Sequence, residues 1–390
     1  MKFCDLTQFY SPVSGGVKRY LEQKVAYLRA HAPGDEHVLI VPGECTEQTG
    51  DAVARVYTIE SPLISRTSRY RALLNLGLVE QILESERPDL IESSDPYQIA
   101  WKAVASGRAL GIPVVGFYHS HFPEAYIRSV AKFFGKFPTE IAEEVCRRYV
   151  RALYNHFERT FVPSPALSKV LREWGVENVE NTDLGVNVDV FRPDVKVLPG
   201  LREELGIPDD CVLLLYVGRL AAEKNVKTLF SAFELLHASA PGRFHLLAVG
   251  DGTRRCDLEH ARTKTGAVSW FPYCSDAHEL ARLYREADLF VHPGILETFG
   301  LVTLEAQACG TPVIGIRGSY MDRIIFTNQV HWAAENTPAA LAEAIRTAAE
   351  TDMKAEGLAA SRLVRERYSW EAIFGRLFSI YREIIEAYKP

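Results

Sequence analysis

Short apolar runs alternate with longer amphipathic stretches along this chain. Residues 3–6, 37–41, 55–59, 89–92, 113–118 and 160–162 have strand length and strand composition. The stretches between them repeat at helical spacing. The first starts near Val17, with Val17, Tyr20, Leu21, Val25 and Leu28 on one face and Lys18, Arg19, Glu22 and Arg29 off it. Others cover 68–86, 97–110 closed by Gly111, 122–135, 138–156, and 165–174 closed by Gly175. The alternation pauses at 184–187, which reads as a hinge, crosses a polar connection containing proline, and restarts. Strands then fall at 212–217, 244–249, 268–271, 289–291 and 313–316, with helices between them and helices at 338–350 and 369–388 near the end. This order predicts an α/β chain of two doubly wound, Rossmann-like domains, 1–184 and 185–370, followed by a last helix at 371–390. Ligands of such sheets bind beyond the carboxyl ends of the strands, so the expectation is an interdomain cleft faced by both.

Composition narrows the class. The chain has 390 residues, 47% apolar and 24% charged, with a formal net charge of −6. That is a globular composition, and it gives no electrostatic case for nucleic acid. Seven Cys in no metal-ligand spacing fit reduced thiols in the cytosol. There is no signal-peptide pattern and no apolar run long enough to span a bilayer. The expected location is cytoplasmic, with the inner face of the membrane left open. Nothing in the sequence fixes an oligomeric state.

The densest chemistry lies in 292–310. His292-Pro293-Gly294 breaks a strand, because Pro lacks an N–H and Gly permits positive φ. A helix then runs from near Gly300 to Gly310. Glu305 has Leu301, Val302, Ala308 and Cys309 as helical neighbours, so it sits on the apolar face and needs a partner. It anchors a ligand or caps a neighbouring loop. Glu297 precedes the helix, where free N–H groups and the helix dipole point at any ligand. A second block, 217–225, follows the first strand of the second half. Its Arg219 and Lys224 suit a phosphate, or they are surface cations paired with Glu223. Gly15-Gly16-Val17 lets backbone N–H groups approach an anion, or merely packs tightly; it is not a nicotinamide fingerprint. His119 ends the strongest strand of the first half, with His121 a competitor for any role.

Together these motifs resemble glycosyltransferase family 4, retaining enzymes of GT-B fold that use nucleotide-sugar donors. The match rests on Gly15-Gly16-Val17, His119, Gly185-Val186-Asn187-Val188-Asp189 with Phe191 and Pro193, and Gly218-Arg219 with Glu223-Lys224. It also includes Gly250-Asp251-Gly252 and Glu297-Thr298-Phe299-Gly300 running to Glu305, a Glu-x7-Glu signature. The resemblance implies that Arg219 and Lys224 bind the donor diphosphate and stabilise the leaving group. It implies that Gly16 meets a phosphate oxygen, that Glu305 bonds the ribose hydroxyls, and that Glu297 with the N–H groups of Phe299 and Gly300 orients the sugar. Leu301 joins the donor-binding residues. His119 lies near the anomeric centre or the sugar's primary hydroxyl, and the base stacks by Phe271-Pro272-Tyr273. The resemblance implies no metal, no cofactor beyond the nucleotide-sugar co-substrate and no covalent nucleophile. It also implies a terminal helix that crosses back to the first domain after Tyr368-Ser369-Trp370.

The chain departs from the family where Pro272 replaces a common Gly, where Asn187 replaces Asp, and over 319–325. The wording around Glu297 and the stretch from Gly15 to Tyr20 are most similar to mannosyltransferases, so GDP-mannose is the expected donor and UDP-glucose the alternative. The acceptor is a glycan or lipid-linked hydroxyl docking on the first domain. Within 127–151, Val130, Phe133, Phe134 and Phe137 mix with Lys132, Lys136, Arg147, Arg148 and Arg151. That mixture reads as a weak peripheral membrane contact or as a helix pair with a solvated basic face. A GT-B isomerase or phosphorylase and a silent nucleotide-sugar-binding module are the rival functions.

Overall fold

The computed structural model describes residues 1–11, 16–64, 69–119, 139–193, 200–295, 297 and 299–388. Two compact units divide the chain: Met1–Leu184 with Ile373–Pro390, and Gly185–Ala372.

In the first unit the strands are β1 (Lys2–Leu6), β2 (Glu36–Gly43), β3 (Glu47–Gly50), β4 (Ala54–Glu60), β5 (Leu90–Ser93), β6 (Val114–Phe117), β7 (Thr160–Val162) and β8 (Val179–Asn181). They form a sheet in the order β3-β4-β2-β1-β5-β6-β7-β8. Its pairings are parallel, with antiparallel β3 as the edge. Side chains alternate across a strand. In β1, Cys4 and Leu6 therefore enter a core with Val38, Ile40 and Ile91. Phe3 and Asp5 face the other way, where the ring of Phe3 lies 5.1 Å from Phe378 and 5.7 Å from Tyr381 of the helix Trp370–Tyr388.

A charged cluster sits on that second face. Lys24, fully buried in the helix Gly16–His31, donates to Asp5 Oδ1 at 2.9 Å and to the Tyr381 hydroxyl at 3.0 Å, and lies 3.2 Å from Glu92 Oε1. His37 Nε2 lies 2.6 Å from Asp5 Oδ2. The Tyr381 hydroxyl donates to Glu92 Oε2. Burial pushes the Glu92 carboxyl up, although Lys24 acts against it. Asp5 is held well below the usual range: burial opposes ionisation there, and Lys24 and His37 outweigh it.

The second unit is simpler. Its strands are β9 (Val212–Val217), β10 (Phe244–Val249), β11 (Val268–Phe271), β12 (Leu289–Val291) and β13 (Val313–Ile314), in the order β11-β10-β9-β12-β13 and parallel throughout. Helices cover both faces of such a sheet, so its strands are apolar without alternation. Leu213 to Tyr216 are all buried.

Some elements differ from expectation. The helix expected at 68–86 is Leu76–Glu86, because Asn75 caps it: its side chain accepts from Leu78 N. Upstream, Leu63 bridges Arg71 antiparallel and Arg69 has φ 53°, and residues 69–75 are not helical. Strands β3 and β8 have no counterpart in the sequence reading. β3 is wholly exposed and carries no apolar alternation. The segment 122–135 and the 127–138 part of the 127–151 patch lie outside the described residues. Among the described residues, no helix is long and apolar enough to cross a membrane.

Candidate active site

The strand order of the second unit locates its site. From β9 the chain steps to β10 and β11 on one side, then returns past β9 to β12 and β13 on the other. The chain therefore turns to opposite sides after β9 and β12, and ligands of such sheets bind at the carboxyl ends of the strands at this topological switch point. The loop after β9 carries Arg219 and Lys224, and the loop after β12 carries Glu297. Lys224 Nζ forms an ion pair with Glu297 Oε2. Both side chains are largely withdrawn from solvent, at 26% and 15% exposure. Burial alone would raise the Glu297 carboxyl; Lys224 and His292 outweigh it and hold it below its ordinary value. Arg219 is 66% exposed and pairs with Glu223 at 3.0 Å, which is the surface pairing allowed from the sequence.

Backbone conformation sets the shape of these loops. Gly250, with φ 131°, lies against Gly218: a Cβ there would stand 2.0 Å from the Gly218 carbonyl. Gly218 N donates to Val249 O and Leu220 N to Asp251 O, so the loops after β9 and β10 are laced together. Asn225, left-handed at φ 56°, turns the chain into the helix Val226–Ser239. Its amide donates to Pro293 O at 2.8 Å and to Asn336 Oδ1 at 2.7 Å. Lys224 is thereby fixed to the loop that carries Glu297.

Gly300, with φ 81° and ψ 48°, starts the helix Leu301–Ala308. A side chain there would strike Met321 Sδ at 2.5 Å. Tyr320 N donates to Ile295 O at 3.0 Å, and the Arg323 guanidinium lies 5.1 Å from the Phe299 ring. The divergent segment 319–325 thus braces the loop of Glu297. Leu301 opens the helix and is half-buried, and Phe299 is buried. Glu305 is buried at 2% exposure, and the Tyr284 hydroxyl donates to its Oε2 at 3.2 Å. The partner this carboxylate requires is present in the unit itself, so its burial alone does not demand a ligand. Pro272 and Tyr273 follow the edge strand β11 and are exposed, Tyr273 at 77%.

His292, which the sequence reading treats as part of a strand break and of the wording around Glu297, follows β12 at this switch point. It is 5% exposed, and its Nδ1 lies 3.2 Å from Thr303 Oγ1. Burial first, then Lys224, pushes its pKa down to about 4, with Glu297 pulling the other way. Asn225, Tyr284 and Thr303 were missed as well. Their roles depend on contacts across the fold; only an Asn at a helix start gave a local signal.

In the first unit the chain order reverses between β1 and β5. Just past β5, Asp95 is 2% exposed and its Oδ2 accepts from Gln8 N at 2.7 Å. Burial pushes its carboxyl up to about 7, against backbone bonds from Gln8 and Tyr97. His119 follows β6, its ring stacked 3.9 Å from Phe117 and edge-on to Tyr20 at 5.2 Å. Burial and the Lys24 ammonium push its pKa down to about 3, so it is neutral at ordinary pH. Gly16 is the exposed first residue of its helix. Gly15 lies outside the described residues. Arg219, Lys224, Pro272, Tyr273, Glu297, Phe299, Gly300, Leu301 and Glu305 all belong to the second unit, and Gly16 and His119 to the first.

Two Rossmann-like units, one with an ionic site at its switch point, are the architecture of GT-B glycosyltransferases. Known proteins agree. A family model described as "Glycosyltransferase Family 4" matches residues 14–190, and one described as "Glycosyl transferases group 1" matches 199–361. A GDP-mannose-dependent alpha-(1-6)-phosphatidylinositol dimannoside mannosyltransferase of Mycobacterium tuberculosis is 31% identical over 354 residues, 89% of this chain and 87% of that protein. A GDP-mannose-dependent alpha-mannosyltransferase of Corynebacterium glutamicum is 28% identical over 99% of this chain and 89% of its own length. Sucrose-phosphate synthase from Thermosynechococcus elongatus superposes with TM-score 0.73 over 99% of both chains at 22% identity, which speaks to the fold. The chain belongs to glycosyltransferase family 4 and is a glycosyltransferase that uses a nucleotide sugar.

Proposed function

We propose that this enzyme transfers a mannosyl group from GDP-mannose to a hydroxyl of a glycan or lipid-linked acceptor, with retention at the anomeric carbon and without a metal ion. The observation that carries this reading is the meeting of Lys224 and Glu297 at the switch point. The two GDP-mannose-dependent relatives support the choice of donor. Lys224 and Arg219 neutralise the diphosphate and the charge that grows on it as the glycosidic bond breaks, aided by the Gly16 backbone. Glu297, with the N–H groups of Phe299 and Gly300, orients the sugar hydroxyls. Leu301 lines the donor pocket, Glu305 anchors the ribose, and the base rests by Pro272 and Tyr273. His119, neutral, faces the reacting sugar. No residue is assigned as a covalent nucleophile, because the acceptor attacks on the face the leaving phosphate departs from. The reaction takes place in the cytoplasm, at the inner membrane face when the acceptor is a lipid.

A ligand panel of GDP, GDP-mannose, UDP and UDP-glucose tests the donor. GDP-mannose should raise the melting temperature, since a ligand at a hundred times its Kd adds about 2.7 kcal/mol of stability. A panel in which no nucleotide or nucleotide sugar shifts the transition refutes the reading. Lys224→Ala and Glu297→Gln should each lower kcat by roughly 10²–10³ while remaining folded. A wild-type rate in either variant removes that residue from its role.

A further inference from the structure

His292 holds a buried nitrogen that the donor site leaves unused. Its Nδ1 faces the Thr303 hydroxyl at 3.2 Å, while its Nε2 is buried without a hydrogen-bond partner among the described residues. A neutral imidazole carries one proton. With the Thr303 hydroxyl donating to Nδ1, that proton is on Nε2, and a buried donor is left without an acceptor. Unmade bonds of this kind are costly, and a native one calls for an explanation. The direction in which Nε2 points is informative. A Cβ on Gly294 would stand 3.0 Å from it, so the bare glycine keeps the nitrogen open toward the loop that reaches Glu297 three residues later. Glu297 and Lys224 are also the charges that act on the ring.

The acceptor that would satisfy Nε2 is already engaged. Glu297 is bound to Lys224, and Lys224 is the cation that a diphosphate would claim. A carboxylate that loses its ammonium in a largely buried loop needs another donor. We propose that His292 is a positioning residue for Glu297: when the donor diphosphate draws Lys224 away, the Nε2–H of His292 takes over the carboxylate and holds it toward the sugar. Thr303, in the first turn of the helix Leu301–Ala308, holds the ring at Nδ1, and the exchange uses the tautomer in which its hydroxyl donates there. This inference rests on the donor reading above. It adds an exchange of partners at Glu297 and explains why both an imidazole and a glycine precede it.

A double-mutant cycle tests the exchange. GDP release from GDP-mannose and GDP binding would be measured for wild type, His292→Phe, His292→Gln, Glu297→Gln and the Phe/Gln double variant. His292→Phe should lower kcat roughly 10- to 100-fold, as loss of a residue that orients a ligating group does. The Kd for GDP should rise as well, because the diphosphate of GDP draws Lys224 away and leaves Glu297 without a donor. His292→Gln, which keeps an N–H at similar reach, should recover most of the lost rate. In the Glu297→Gln background, the Phe substitution should cost less than about twofold, the mark of two residues acting through one contact. A wild-type kcat in His292→Phe overturns the inference, and so does an equal loss in both backgrounds. If the Phe variant does not fold, Gly294→Ala sets a methyl against Nε2 and should show the same loss and the same dependence on Glu297; a wild-type rate there overturns it equally. Failure of the donor reading appears separately, as wild-type enzyme that releases no GDP from GDP-mannose. The cycle is then run on the nucleotide sugar that the panel identifies.

Discussion

Lys224 and Glu297 neutralise each other inside one unit, so an incoming diphosphate must exchange one anion for another. Arg219 with Glu223 is more exposed and therefore more screened by solvent. Asp95 presents the opposite problem, a buried carboxyl pushed up to about 7. A folded pKa raised above the unfolded value near 3.9 contributes stability that is complete below the unfolded value and is lost as pH rises through 7. The slope is at most about 1.4 kcal/mol per pH unit for one group. Asp95→Asn should remove its share of that slope between pH 4 and 7, read by urea unfolding across the range; an unchanged slope would count against a protonated Asp95. At this scale the sequence is legible where chemistry is local. Arg219, Lys224 and Glu297 stand out because loops at strand ends concentrate charge. His292, Tyr284 and Asp95 do not, because burial and partners decide what they do, and those come from residues far along the chain.

Elements are legible when burial is uniform. The strands β9 and β10 are continuous apolar runs, and the reading places them at their observed bounds. The helix Leu76–Glu86 is misread toward its start because one Asn cap outweighs a longer amphipathic pattern. Strand β3 is invisible because it is a polar edge. The lacing of the loops after β9 and β10 is equally hidden, since it depends on two bare backbones meeting. It predicts that Gly250→Ala costs about 1–3 kcal/mol from backbone conformation alone, with more from the clash at Gly218 O. Denaturant titration measures this; a variant as stable as wild type would mean that the loops part without loss.

The two-unit plan is the most legible feature of the whole molecule, since alternation restarts once and both halves follow the same rule. What the alternation does not reveal is how the last helix is held. Lys24, Asp5 and Glu92 bring charges from β1, β5 and one helix, and Tyr381 a hydroxyl from another, into one buried cluster. Removing one partner of a buried charged group costs about 3–5 kcal/mol. Lys24→Met should therefore destabilise the first unit by that order, and Tyr381→Phe by about 1–2 kcal/mol. Chemical unfolding with hydrogen exchange on the first unit would check both; a near-wild-type value for Lys24→Met would mean that the carboxylates are protonated together. The membership of residues 373–388 in this unit also bears on biosynthesis. The second unit is continuous in sequence and has all its residues once Ala372 is made, whereas the first, begun at Met1, waits for Phe378 and Tyr381. On the ribosome the earlier half of the chain is completed last. During that interval Phe3 and Tyr20 are left uncovered and Lys24 lacks its Tyr381 partner, which makes the nascent first unit the part of the molecule most in need of a chaperone.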